Sequence, residues 1–183
     1  MNNETAPRLI LASGSPRRQA LLKEMGYTFE ICCPDVDEHV SGRAEDIVKT
    51  LARRKAEAVA ARFPDGVVIA SDTLVSLDGA SLGKPEDAAD AQRMLTALSG
   101  REHDVFTGVC VMNAATGRTV LREVRTGVRF RTLTGDEISA YIATGEPMDK
   151  AGAYAIQGGA GSFENVMGFP VDEVREMLKL FDL

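Results

Sequence analysis

No apolar run in this 183-residue sequence approaches the roughly 20 residues needed to cross a bilayer, which excludes a membrane-spanning helix. The N-terminus, MNNETAPR, lacks the basic start and apolar stretch of a signal peptide, so a cytoplasmic location is expected. Positive charge is also short. The 21 Lys and Arg against 27 Asp and Glu leave a net charge of -6, which argues against a protein that coats nucleic acid through its phosphates. A local basic pocket can still exist in an acidic chain, so charge has to be followed residue by residue. Only three cysteines occur, Cys32, Cys33 and Cys110, with no CxxC spacing and no second pair, which fits reduced thiols and not a zinc site. Tryptophan is absent and aromatics amount to 5%, yet 44% hydrophobic and 26% charged residues describe an ordinary globular protein. No repeat, low-complexity tract or clear linker divides residues 1–183, which are read as one domain with a substantial core.

The order of patterns alternates. Leu9 to Ser13 suits a buried strand, and Pro16 stands where a first helical turn tolerates proline, with the helix running through Met25 to a stop at Gly26. TFEIC, ending at Cys32, reads as a second strand, and a long helical pattern covers about Ala44 to Phe63. DGVVIASDTLVSLDGASLGKP reads as strand, Asp-Gly turn and strand. Ala88 to Leu98 is helical, 103–113 and 118–133 alternate as strands, and Thr134 with Glu137 forms a capping box before another helix. A Gly-rich segment, 145–162, precedes a last helix from about Val171. These elements indicate an α/β protein with a mixed sheet.

Some residues break their own pattern. In the long helix, Lys55 lies four residues after Leu51 and four before Val59, within the apolar stripe, whereas Arg53 and Arg54 do not. It must either snorkel to water or meet a negative charge. Asp72 ends the apolar run VVIAS, where open α/β sheets place ligands and where a turn-capping aspartate is equally at home. If Asp78-Gly79 is a two-residue hairpin turn, Leu77 faces Ala80, Val75 faces Leu82, and Lys84 falls opposite Thr73, beside Asp72.

The string LASGSPRR lacks both the Walker and the GxGxxG pattern, yet Ser13, Gly14 and Ser15 would present N–H groups and hydroxyls at a helix start. Arg17 and Arg18 there oppose the helix dipole unless an anion is expected. Asp35, Asp37 and Glu38 supply hard oxygens of the kind magnesium or manganese accepts, although most such loops are simply solvated. His39 and His103 show no metal-ligand spacing and are read as surface or satisfied side chains.

Taken in order, LASGSPRR, DVDE, ARRKA, SDT, GKP, LSG and GEPMDKAGAYAIQG resemble the Maf family of nucleotide pyrophosphatases over nearly the whole chain. The resemblance implies an elongated mixed β-sheet flanked by helices, with two lobes and a central cleft, like the inosine triphosphate pyrophosphatases. It implies a metal-dependent (Mg2+ or Mn2+) cleavage of a nucleoside triphosphate between its α and β phosphates. By the same resemblance Asp72 is the proton acceptor, Ser13, Arg17, Arg18, Lys55 and Lys84 surround the phosphates, and Glu38 joins Asp72 at the metal. Arg17, Thr73 and Gln157 match positions that choose the base, and DKAGAYAIQG resembles the branch acting on dTTP and UTP. Family members are often homodimers. One departure stands out: after AIQGGAG the usual members carry roughly ten more residues before the stretch that here reads SFENVMGFP. Two other readings remain, a house-cleaning pyrophosphatase for non-standard nucleotides and a non-catalytic nucleotide-binding regulator of cell division.

Overall fold

The computed structural model describes residues 7–154 and 163–183. Strand β1 (Leu9–Leu11) leads into helix α1 (Pro16–Glu24), short strand β2 (Glu30–Ile31) and long helix α2 (Ala44–Ala60). A hairpin of β3 (Val67–Leu77) and β4 (Ala80–Leu82) precedes α3 (Ala88–Leu98), and a second hairpin of β5 (Glu102–Asn113) and β6 (Thr119–Arg129) precedes α4 (Gly135–Ala143). Two 3-10 turns (Glu146–Asp149 and Ala151–Ala153), α5 (Phe163–Val166) and α6 (Val171–Lys179) complete the described chain. The sheet runs β2-β1-β3-β5-β6, with β4 also on β3. β1 is parallel to both its neighbours, and the other pairs are antiparallel.

Most expected elements form within a few residues of their sequence bounds. TFEIC does not: only Glu30 and Ile31 pair, because this outermost strand has a three-residue partner and both residues are exposed. The Asp-Gly turn sets the expected register as far as Val75 opposite Leu82, and there the ladder stops. Lys84 is therefore beyond β4 and not a cross-strand partner of Thr73. Thr134 accepts from the Glu137 N–H, and Glu137 returns to the Thr134 N–H, closing the capping box.

β3 and β5 are long enough to carry more than one core. On one face, Val67, Ile69, Val109 and Val111 pack with α6, while Val75, Leu77 and Val105 pack with α3 and Ile138 of α4. On the other face, Val68, Ala70, Cys110 and Met112 lie under Ala52, Ala56 and Val59 of α2. The apolar alternation is interrupted at one level, by Ser71 and Thr73 with Thr107 on the first face, and by Asp72 opposite Gly108 on the second. Gly108 has a steric reason to be glycine: a Cβ there would lie 2.4 Å from the Val48 carbonyl oxygen, so any side chain would push α2 off the sheet beside Asp72.

Register places the opening. β1 and β4 share the same edge of β3 but approach from opposite ends, β1 reaching Ile69 and β4 reaching Val75. Both strands end there at their carboxyl termini, leaving the middle of the β3 edge, around Asp72, uncovered by either. The crevice lies in that gap, where the chain turns away toward α1 on one side and Lys84 on the other.

Candidate active site

A cavity of about 860 Å3 occupies the gap, and Ser13, Arg17, Arg18, Glu38, Lys55, Asp72, Thr73 and Lys84 all line it. The volume suits a nucleotide-sized ligand. Gln157 lies outside the described residues.

Lys55 is the centre of the charge arrangement. The stripe of α2 is buried as its periodicity required, with Lys55 itself only 7% exposed and Asp72 8%. Lys55 does not snorkel: its Nζ lies 2.7 Å from Asp72 Oδ1 and 2.9 Å from Glu38 Oε1. Burial pushes the Glu38 carboxyl upward, but the Lys55 hydrogen bond and the charges of Lys55, Lys84 and Arg18 outweigh it and hold the group below the usual glutamate range. Lys84 is exposed at the rim, and its charge reaches Glu38. Of the acidic run, Glu38 alone lines the cavity; Asp37 turns to His39.

The two arginines of α1 diverge. Arg18 donates from Nε to the Gly168 carbonyl at 2.8 Å, and its terminal nitrogens lie 3.3 Å from Ser13 Oγ and 3.4 Å from Thr73 Oγ1. Burial lowers the Arg18 pKa, as does Arg17, while Asp72 and Glu38 oppose that shift. Arg17 instead reaches across the cleft to Asp149, 3.0 Å from its carboxylate. Ser15 caps α1 without a side-chain bond and the first turn holds no acidic residue, so the positive end of the helix faces the cavity unneutralised by its own sequence.

Asp149 and Gly168 were not singled out from the sequence. Gly168 takes φ +90° and receives both Arg18 and the Ser71 hydroxyl on its carbonyl oxygen; a Cβ there would lie 3.1 Å from Thr73 Oγ1. Their signals were a Gly in NVMGFP and an Asp in the GEPMDK turn, and no local spacing ties either to α1.

The donor set suits a divalent cation shared with phosphates. Two carboxylates, Glu38 and Asp72, converge on one ammonium, and magnesium is ordinarily held by one or two carboxylates with substrate phosphates and water completing its shell. Among the described residues no group of three or more His, Cys, Asp or Glu could hold a metal without such help.

A second cavity, of about 950 Å3, lies against the start of β5 and the end of β6 and contains none of the candidate catalytic, binding or metal residues picked from the sequence. His103 is buried there, 2.6 Å from the Tyr154 hydroxyl and edge-on to Phe130 and Tyr154. Burial lowers its pKa to about 4. Between pH 6.5 and about 4, therefore, the unfolded chain binds a proton that the folded chain does not, and stability falls as pH drops through this window. We expect acidification to remove about 2–3 kcal/mol through this residue. Denaturant melts at pH 7 and pH 5 on the wild type and His103→Asn should show a smaller acid loss in the variant.

Together, the fold and the crevice define an α/β protein with a cation-lined pocket at the point where two strand ends converge. Among the described residues no helix is long and apolar enough to cross a membrane. Residues 8–181 match the family model described as Maf-like protein, and the chain belongs to the Maf family. It is 49% identical over 181 residues to a protein of Geotalea uraniireducens, the match covering 93% of each chain. It is 48% identical over 184 residues to one of Moorella thermoacetica, covering 95% of each. A third relative, from Myxococcus xanthus, is 48% identical over 181 residues, covering 93% of this chain and 91% of the other. Each of the three is named dTTP/UTP pyrophosphatase.

Proposed function

We propose that this protein is a nucleoside triphosphate pyrophosphatase that hydrolyses dTTP and UTP to the monophosphate and pyrophosphate, residues 1–183 acting as one catalytic domain on free nucleotides in the cytoplasm. The observation that carries this reading is the Lys55 ammonium held between Asp72 and Glu38 inside a cavity that also gathers Ser13, Arg17, Arg18 and Lys84. A structural ion pair alone has no need of three further cations around it. The shared names of the relatives support the same reaction.

Hydrolysis of a phosphoanhydride needs neutralised phosphate charge, an in-line water and a group to take its proton. Lys55, Lys84, Arg17 and Arg18 bind the polyphosphate, with the Ser13 hydroxyl and the start of α1 adding donors. Asp72 accepts the proton of the attacking water. Glu38 and Asp72 would hold a Mg2+ or Mn2+, which would supply Lewis-acid stabilisation of the phosphate charge. Arg17, Thr73 and Gln157 meet the base.

The decisive experiment is a panel of dTTP, UTP, CTP, purine and modified triphosphates, assayed for pyrophosphate with Mg2+, Mn2+ or neither. Metal-stimulated release strongest with dTTP and UTP is expected. Preference for a modified nucleotide would favour the house-cleaning reading, and tight binding without release the regulatory one.

A further inference from the structure

Arg17 and Arg18 are neighbours in the first turn of α1, yet they are held in different ways. Arg18 donates to the Gly168 carbonyl, a neutral backbone acceptor at 2.8 Å that the Ser71 hydroxyl ties to β3. Among the described residues the Arg17 guanidinium is bound by Asp149 alone, with Nη1 3.0 Å from its carboxylate and Nη2 3.5 Å from its backbone oxygen. The two side chains are 25% and 60% exposed, and both residues line the crevice.

Asp149 is stationed on a fixed wall. It ends the 3-10 turn Glu146–Asp149, and the turn that follows is fastened to the hairpin by the Gly152 N–H on the Gly83 carbonyl at 2.9 Å. Gly152 takes φ +66°, and a Cβ there would lie 2.6 Å from Val75 Cγ2, so this wall packs against β3 too closely to admit a side chain. Lys150 holds the other carboxylate oxygen of Asp149 at 2.9 Å. Burial pushes the Asp149 carboxyl upward, but the bonds from Lys150 and Arg17 outweigh it and hold the group below the usual aspartate range, so it is ionised at neutral pH. Arg17 can therefore leave without stranding a charge, because Asp149 keeps Lys150 and water. The departing guanidinium needs only another anion, and phosphate oxygens match its fork of donors.

We propose that Asp149 is an internal competitor for Arg17: before substrate binds, its carboxylate occupies the guanidinium that a substrate phosphate then takes, so that Arg18 is a fixed anion clamp and Arg17 an exchangeable one. This inference rests on the proposed binding of a polyphosphate in the crevice. A group that must first be taken from an internal partner binds its ligand with an affinity reduced by the fraction of time it is free. The same free energy is returned when the ligand leaves, which favours release of an anionic product from a site crowded with cations. Asp149 touches no reacting atom and acts through Arg17, as a positioning residue.

Binding of α,β-imido-UTP, which cannot be cleaved between the α and β phosphorus atoms, should be measured calorimetrically with Mg2+ in the wild type, Asp149→Asn, Arg17→Gln and the double variant, with a thermal melt as the check on folding. Asp149→Asn is expected to bind about three- to fivefold more tightly than the wild type, the range for freeing a partly exposed ion pair. Asp149→Glu, which keeps the charge, should stay near the wild type. In the Arg17→Gln background the gain should largely vanish, because no guanidinium remains to be released; relief of a through-space repulsion would instead appear equally in both backgrounds. Equal gains, or binding by Asp149→Asn that is unchanged or weaker, would overturn the proposal. Asp149→Ala takes the place of the asparagine variant should that not fold. A wild type that neither binds the analogue nor releases pyrophosphate from any nucleotide defeats the functional reading and this inference with it, whereas binding and turnover without the Arg17-dependent gain defeat only the inference.

Discussion

Replacing Asp72 with asparagine is expected to lower kcat for UTP by about 10^3-fold or more, at nearly unchanged KM, because the amide cannot take a proton from water. The substitution preserves shape. Lys55 keeps Glu38 at 2.9 Å and finds a neutral acceptor where the Asp72 carboxylate was, so its charge is not left alone in the interior. The stability loss should stay at about 1 kcal/mol, well below the about 3–5 kcal/mol of a buried pair broken outright. Steady-state kinetics beside a thermal melt separates the two effects. Retained turnover in the folded variant would remove Asp72 from its role.

The Lys55→Met variant should be damaged in both respects. Methionine fills the aliphatic path through the α2 stripe but leaves Asp72, only 8% exposed, and Glu38 facing one another without their shared cation. We expect a stability loss of about 3 kcal/mol or more, together with a kcat/KM loss of at least about a hundredfold as a phosphate-neutralising charge disappears. Glu38 reports the electrostatics directly. Burial raises its pKa, and the Lys55 hydrogen bond and charge do most to reverse that, with Lys84 and Arg18 contributing less. In the variant its carboxyl should titrate at a higher pH than in the wild type, observable by carbon-detected NMR. The sign for stability follows: the wild-type contribution of this depressed carboxyl is present above its ordinary range and is lost as pH falls through its lowered folded value. A Glu38 titration unaltered by Lys55→Met would contradict the arrangement.

Local periodicity made much of this legible from the chain. Lys55 could be assigned to the inward face of its helix because Leu51 and Val59 flank it at four-residue spacing, and Asp72 stood out because a carboxylate broke an apolar run, although the strand continues past it to Leu77 and Asp72 sits mid-strand, not at a strand end. The Asp-Gly turn gave the register of β3 against β4, since two-residue hairpins leave little choice. The same reasoning overextended the ladder to Lys84, because nothing local shows where pairing ceases. It also left β2 too long, since alternation cannot reveal that the partner strand has only three residues.

The misfit arginines were informative in kind but not in geometry. Two cations at a helix start implied a partner anion, and Arg17 does meet one in Asp149, 132 positions away in sequence and on the far side of the cleft. Arg18 is held by a backbone carbonyl, at Gly168, whose availability depends on a positive-φ turn with no side-chain signature. Helix and strand spacing thus exposed what each element contributes alone. What the elements do to one another required their positions in space.

The claim on which the rest depends is that this crevice spans a triphosphate and breaks it between the α and β phosphorus atoms. Phosphorus NMR of UTP incubated with the protein and Mg2+ addresses it in one spectrum. Uridine monophosphate and pyrophosphate should grow in equal amounts with no diphosphate intermediate; uridine diphosphate with orthophosphate, or intact UTP, would contradict it.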